Sequence, residues 1–217
     1  MEWSEFNLRF GRALRTKNIL KRRPNPRHFE MQKAEPEIPR EFIRLCPWEA
    51  EYIFAVARRA KRGVVEIGRF NGGSLFLMAC ALRGAVPITS VDLEPQNDAL
   101  LSELLQQHHP EADIRLIIGD SQHTAYPDVE AADVIFIDGD HTYEGCMADI
   151  RNWYPKLLPG GHLLFHDSYL GDHGVQDAIL DFMDEHPELQ ILKSPVIGAT
   201  YWHYPAGSVS HLIRRPT

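Results

Sequence analysis

Short runs of β-branched and apolar residues alternate along this chain with longer stretches whose apolar positions recur at helical spacing, and that rhythm predicts most of the fold. Trp3, Phe6, Phe10 and Leu14 share one helical face with Arg9, Arg12 and Arg15 between them, so the first turns read as a short amphipathic helix. From Lys17 to Pro39 prolines and charges dominate and periodicity disappears. It resumes from Pro47 to Arg62, with Trp48, Tyr52, Ile53, Val56 and Ala57 on one face. Next come a β-branched strand from Gly63, a loop holding Gly68, Gly72 and Gly73, and the helical run L-F-L-M-A-C-A-L. Ile88 to Asp92 reads as a strand, Asn97 to His108 as a helix and Ile114 to Ile118 as a strand. Asp133 to Asp138, D-V-I-F-I-D, is nearly all apolar, as a strand covered on both faces should be. A helix from Tyr143 to Leu157, a P-G-G turn at Pro159 to Gly161, a strand H-L-L-F-H-D and a helix from Gly174 to Glu185 follow. The last two strands are expected at Leu189 to Pro195 and Ala199 to Tyr204, parted by a few residues around Gly198. So short a connection allows an antiparallel hairpin and forbids a parallel crossover. The pattern predicts an α/β fold built on a seven-stranded, mostly parallel sheet with an antiparallel C-terminal strand.

Composition narrows the class. At 217 residues the chain suits one well-buried domain. No apolar run approaches a membrane span and the second residue is charged, so neither a transmembrane helix nor a signal peptide is expected. Cys46, Cys80 and Cys146 are odd in number and lack C-x-x-C spacing, which fits reduced thiols and a cytoplasmic setting. Charge is lopsided: residues 1 to 33 hold nine Lys or Arg against three Glu, a net of +6, so −13 of the total −7 lies in the remainder. The chain therefore divides into a basic arm and linker over residues 1–39 and an acidic domain over 40–217. The arm lacks aromatic stacking platforms or a recognition helix among its basic residues, which argues against nucleic acid as a partner. Membrane contact is not expected, and an apolar-faced arm ahead of the domain favours a homodimer.

Candidate chemistry lies at the strand ends. In an open parallel sheet, ligands bind beyond the carboxyl ends of the strands, where glycines let the backbone approach. Glu66, Asp92, Asp120 and Asp138 each end one of the first four strands, or just follow it, and all four collect on that edge. A single such acid would read as a helix cap; four in register favour a cofactor cleft. Asp92 is placed to accept ribose hydroxyls, and Asp120 with Ser121 to face an adenine. The loop lacks the middle glycine of the dinucleotide fingerprint G-x-G-x-x-G, and Glu66 would repel a pyrophosphate, which counts against a nicotinamide oxidoreductase. The spacing E-x-G-x-x-x-G, Glu66 to Gly72, instead resembles the first motif of class I S-adenosylmethionine-dependent methyltransferases.

The resemblance sharpens at I-D-G-D-H-T-Y-E-G-C-M-A-D-I, Ile137 to Ile150, paired with F-H-D-S, Phe165 to Ser168. These stretches, with the glycine loop, resemble the small metal-dependent O-methyltransferase family that includes the macrocin and mycinamicin sugar methyltransferases and the cephalosporin-hydroxylase-type proteins. The likeness covers Gly63 to Asp181. It implies a Rossmann-like methyltransferase sheet and S-adenosylmethionine held by Glu66, Gly68, Asn71, Gly72, Ser74, Asp92, Asp120, Ser121 and Asp138. It also implies Asp138 and Asp167 as ligands of Mg²⁺ or Mn²⁺, with His141 as general base. His166 stands where those relatives carry a carboxylate, which leaves the third ligand open: this imidazole binds the metal, points into the sheet, or is replaced by water. An imidazole would tilt the site toward Mn²⁺ or a later transition metal. Tyr143, Tyr169, His173, Tyr201, Trp202 and His203 offer aromatic and polar surface for an acceptor, which the resemblance makes a small-molecule or oligosaccharide hydroxyl. A catechol or phenol acceptor, an NAD(P)-dependent oxidoreductase and a non-catalytic binding protein of the same fold are the alternatives.

Overall fold

A computed structural model describes residues 1–10, 13–14, 38–39, 42–123, 126–168, 174–193 and 209–216. Two helices, α1 (Trp3–Phe10) and α2 (Pro47–Ala57), precede an alternating series: β1 (Val64–Ile67), α3 (Gly73–Leu82), β2 (Ile88–Asp92), α4 (Asp98–His108), β3 (Ile114–Ile118), β4 (Ala132–Ile137), α5 (Tyr143–Trp153), β5 (Leu157–Phe165), α6 (Val175–Glu185), β6 (Leu189–Lys193) and β7 (Ser210–Arg214). The sheet has the order β3-β2-β1-β4-β5-β7-β6. Its first five strands run parallel, and β7 lies antiparallel between β5 and β6. This is the seven-stranded, mostly parallel α/β sheet with a reversed C-terminal strand that the alternation predicts. No helix among the described residues is long and apolar enough to cross a membrane.

Strand periodicity divides the core. Val64 and Phe136 point to the face covered by α1 to α4, while Val65, Ile67, Ile135 and Ile137 point to the face covered by α5 and α6. α3 is apolar on every side because it is enclosed, and all ten of its residues are buried. The described part of the basic N-terminal segment is a piece of this core. Phe6 packs on Phe54 with ring centroids 5.5 Å apart, Phe10 meets Phe76 edge-on at 5.2 Å, and Leu14 bridges to Ile43. The three cysteines are buried.

Several boundaries differ from the sequence reading. α5 stops at Trp153 instead of Leu157, which opens β5. α2 stops at Ala57 instead of Arg62, as Arg58 to Ala60 turn back on the helix end through N–H bonds to Phe54, Val56 and Ala57 carbonyls. Its buried face includes Glu49, whereas Trp48 and Tyr52 are only half-buried. Pro159 to Gly161 do not form a turn ahead of β5 but lie within it, at the register shift between Ala132 and Val134 of the paired strand. The expected final strand, Ala199 to Tyr204, lies outside the described residues, and the strand that pairs with β6 is Ser210–Arg214. The two are therefore not a tight hairpin: 16 residues, 194–209, separate them. S-H-L-I-R carries too little apolar alternation to announce a strand, yet between two neighbours it buries Ser210, His211 and Leu212.

Candidate active site

Backbone bonds continue the ladders past the strand ends and bring the marked residues into one row. Gly68 N–H donates to Val91 O, Gly119 N–H to Asp92 O, Asp138 N–H to Ile67 O and His166 N–H to Ile137 O. Gly68 has φ 80°, and a Cβ there would lie 2.3 Å from the Asp138 carbonyl oxygen, so the loop crosses the end of β4 only without a side chain. Gly72, at φ 84°, caps α3. The resulting cleft has a volume of about 560 Å³, within the range of small-molecule sites, and is lined by Gly68, Asp92, Asp120, Ser121, Asp138, His141, His166 and Asp167 among others.

Not every expected cofactor contact faces that cleft. Glu66 is fully buried; the Ser74 and Ser90 hydroxyls donate to its two oxygens, and burial pushes its pKa up to about 7 despite them. It ties the first turn of α3 to β2. Asn71, whose side-chain oxygen accepts from Asn97, and Ser74 line a small adjoining hollow at the start of α3. Asp92 reaches the cleft while accepting the N–H groups of Arg69 at 2.8 Å, Phe70 at 2.9 Å and Glu94 at 3.1 Å. Phe70, held at φ 46°, and Leu93 present exposed apolar surface beside it.

Arg69 is a residue that the sequence reading missed. It is fully buried, donates to both oxygens of Asp98 at 2.7 and 2.6 Å, and reaches the Ile117 carbonyl at 3.0 Å. The side chain ties the glycine loop to the start of α4 and to β3. The one available signal was an arginine inside G-R-F-N-G-G, where solvent exposure would be the default expectation.

Asp120 accepts the Gln122 N–H at 2.8 Å and pairs with His123 at 2.6 Å, contacts that hold its carboxyl below the usual range. Ser121 is clamped from α5: its hydroxyl donates to Asp149 at 2.7 Å, while Asn152 and Trp153 donate to its carbonyl. Asp149 is buried, which raises its pKa to about 6. Sequence spacing concealed this clamp, since D-x-x-N-W on a helix reads as a mixed surface.

At the far end of the cleft, Asp138, His141, His166 and Asp167 each offer a ligand atom, all within 4.8 Å of one another. His166 Nδ1 lies 3.0 Å from Asp138 Oδ1 and 3.5 Å from Asp167 Oδ2; His141 Nε2 lies 3.3 Å and 3.9 Å from the same two atoms. Asp167 adopts φ 49°, a conformation that non-glycine residues rarely hold without a compensating role. Burial opposes charge on Asp138, but His166 and His141 beside it outweigh that and lower its pKa. The hydrogen bond to Asp138 raises His141, and the surrounding carboxylates raise His166 well above its ordinary value although burial works against it. Two carboxylates and two imidazoles converging in this way suit a divalent cation of the Mn²⁺ type and admit Mg²⁺. The buried His166 imidazole occupies the position that the resemblance gives to a third carboxylate.

Of the acceptor candidates, Tyr143 donates its hydroxyl to Asp181 at 2.8 Å. Tyr169, His173, Tyr201, Trp202 and His203 lie outside the described residues.

Residues 65–168, just under half of the chain, match the family described as "Methyltransferase domain". A curated relative, an uncharacterized protein of Sinorhizobium fredii, is 42% identical over 82 residues, covering 36% of this chain and 9% of its own length. The chain thus spans a small part of that relative. Among solved structures, the SAH-bound methyltransferase PaMTH1 of Podospora anserina superposes with a TM-score of 0.59 at 19% identity, over 88% of this chain and 87% of that one. The O-methyltransferase of Bacillus cereus in complex with SAH gives 0.59 at 15% identity, over 78% and 82%. At these identities the likeness is one of fold, and the fold is the Rossmann-like methyltransferase sheet.

Proposed function

We propose that this chain is an S-adenosylmethionine-dependent O-methyltransferase that uses a divalent cation, Mg²⁺ or Mn²⁺, and acts on a sugar hydroxyl. The observation that carries the reading is the juxtaposition, in one cleft, of carboxylates from successive parallel strands with the cluster of Asp138, His141, His166 and Asp167. The methyltransferase-domain match and the SAH held by similarly folded proteins support the donor. The likeness of the Ile137 to Ile150 and Phe165 to Ser168 stretches to sugar O-methyltransferases supports the acceptor class.

When bound, S-adenosylmethionine supplies an electrophilic methyl on a sulfonium, whose positive charge the acidic cleft favours. A divalent cation supplies charge that acidifies an acceptor hydroxyl, by about 8 pKa units for water on Zn²⁺ and less for Mg²⁺. Asp138, Asp167 and His166 are the residues that would hold the cation. Asp92 receives ribose hydroxyls, and Asp120 with Ser121 walls the base. His141 takes the proton of the acceptor hydroxyl on its imidazole, and Asp138, 3.3 Å from Nε2, stabilises the cation so formed. Such general-base help is worth about 10²- to 10⁴-fold. Alignment of acceptor and methyl contributes further, about 7–11 kcal/mol in favourable cases.

The test is transfer of labelled methyl from S-adenosylmethionine to a panel of sugars and catechols, with and without EDTA. Sugar methylation that vanishes with chelator and returns with Mg²⁺ or Mn²⁺ is expected. Undiminished turnover in excess EDTA removes the cation from the reading, and methylation of catechols alone redirects the acceptor. His141→Ala is expected to lose about 10²- to 10⁴-fold in kcat while S-adenosylmethionine affinity stays near wild type. Full kcat in this variant would remove His141 as base.

A further inference from the structure

Glu49 is a buried carboxylate that neither the sequence pattern nor the proposed chemistry accounts for. It sits in the first turn of α2, 2% exposed, on a helix that precedes the whole strand–helix alternation. Its Oε2 accepts the Cys46 N–H at 2.8 Å, which caps the helix. Its Oε1 lies 3.3 Å from His166 Nε2 and has no other partner among the described residues; nor has that ring nitrogen. On the opposite side of the same ring, Nδ1 faces Asp138 and Asp167. A capping acid needs only one oxygen for its cap, and burying the second costs free energy unless something uses it.

We propose that Glu49 is a positioning residue for the divalent cation: it accepts the Nε2 proton of His166, fixes the ring's tautomer, and so directs Nδ1 at the site shared by Asp138 and Asp167. The inference rests on the cation reading above. Carboxylates that orient ligating imidazoles recur at metal sites, and their loss typically costs about 10- to 100-fold in affinity. The arrangement makes the cation site depend on α2, an element outside the sheet edge, and it keeps the imidazole in the ligand set. A nitrogen ligand favours Mn²⁺ over Mg²⁺, so Glu49 also sets metal preference.

The experiment measures Mn²⁺ and Mg²⁺ affinity by calorimetry for the full chain and for Glu49→Gln and Glu49→Ala, with electron spin-echo detection of ¹⁴N coupling to bound Mn²⁺. Wild type is expected to bind Mn²⁺ more tightly than Mg²⁺ and to show imidazole ¹⁴N coupling. Glu49→Ala is expected to weaken Mn²⁺ binding about 10- to 100-fold, to narrow the preference over Mg²⁺ and to weaken the ¹⁴N signal. Glu49→Gln keeps volume and one acceptor oxygen, so it should fold and fall between the two. A role confined to capping α2 would lower the melting temperature without moving the Mn²⁺ to Mg²⁺ ratio or the ¹⁴N signal, and that result overturns the proposal. If wild type takes up no Mn²⁺, the cation reading itself fails. If wild type binds and both variants bind equally well with unchanged coupling, Glu49 alone is refuted.

Discussion

Glu66 shows how one side chain couples fold to pH. An acid buried without a cation is favoured in its neutral form, and here burial outweighs two hydroxyl donors to give a pKa of about 7 against an ordinary 4.5. The folded chain therefore retains a proton that the unfolded chain releases, and the stability this provides is present in full below about pH 4.5 and is lost as pH rises through about 7. Asp149, raised to about 6, acts in the same direction over a lower window. Glu66→Gln should flatten the decline in melting temperature between pH 4.5 and 7, read by calorimetry of the ligand-free chain; a wild-type decline kept in full by the variant would assign it to other groups. Gly68 makes a steric prediction. A Cβ 2.3 Å from a carbonyl oxygen at φ 80° cannot be accommodated by rotating a side chain. Gly68→Ala should cost about 1–3 kcal/mol in urea unfolding, and more if the crossing of β4 cannot relax. The glycines and the strand-end acids were legible at this scale because spacing exposes them. Glu49, Arg69 and Asp149 were not: each is charged, falls in a helix or loop where exposure is the ordinary expectation, and gains its role from a partner 28 or more residues away.

At the scale of elements, β1 to β4 could be read almost to the residue: β4 is a buried, nearly all-apolar run, and β1 to β3 are short β-branched runs that each stop at or beside a glycine or an acid. β7 could not. Its place is fixed by two neighbours far away in sequence, and a strand of polar and apolar residues in that slot is stabilised by tertiary pairing rather than by its own pattern. The same contrast applies to α1, where periodicity gave the helix but charge suggested an arm. Phe6 is completely buried against Trp3, Phe10 and Phe54, which makes α1 a structural part of the domain. Phe6→Ala should therefore cost about 3–5 kcal/mol in denaturant unfolding, the loss typical of an enclosed aromatic ring. A detached arm would give a midpoint indistinguishable from wild type, and that outcome would contradict the packing.

For the whole molecule, the decisive property is where the charge goes. The chain carries a net −7, and the cleft is lined by Asp92, Asp120, Asp138, Asp140 and Asp167, with Arg44 the one Arg or Lys lining it among the described residues. Such a surface discriminates between two nucleoside ligands that this type of sheet can hold. S-adenosylmethionine brings a sulfonium and an ammonium against a single carboxylate, whereas NAD⁺ brings a pyrophosphate that would face the same acids. The loop reinforces this choice, because Gly68 and Gly72 serve close packing against Asp138 and Leu101 rather than a pyrophosphate cradle. A ligand that binds only the folded chain stabilises it by about 2.7 kcal/mol at 100 times its Kd. For a chain of this length that raises the melting temperature by roughly 5–10 °C. S-adenosylmethionine should produce such a shift and equal concentrations of NAD⁺ should leave the midpoint in place. Raising salt should reduce the S-adenosylmethionine effect, since part of the attraction comes from carboxylates open to solvent. An NAD⁺ shift equal to or larger than that of S-adenosylmethionine would mean that the acids at the strand ends are neutralised from within, and the methyl-donor reading would have to be given up.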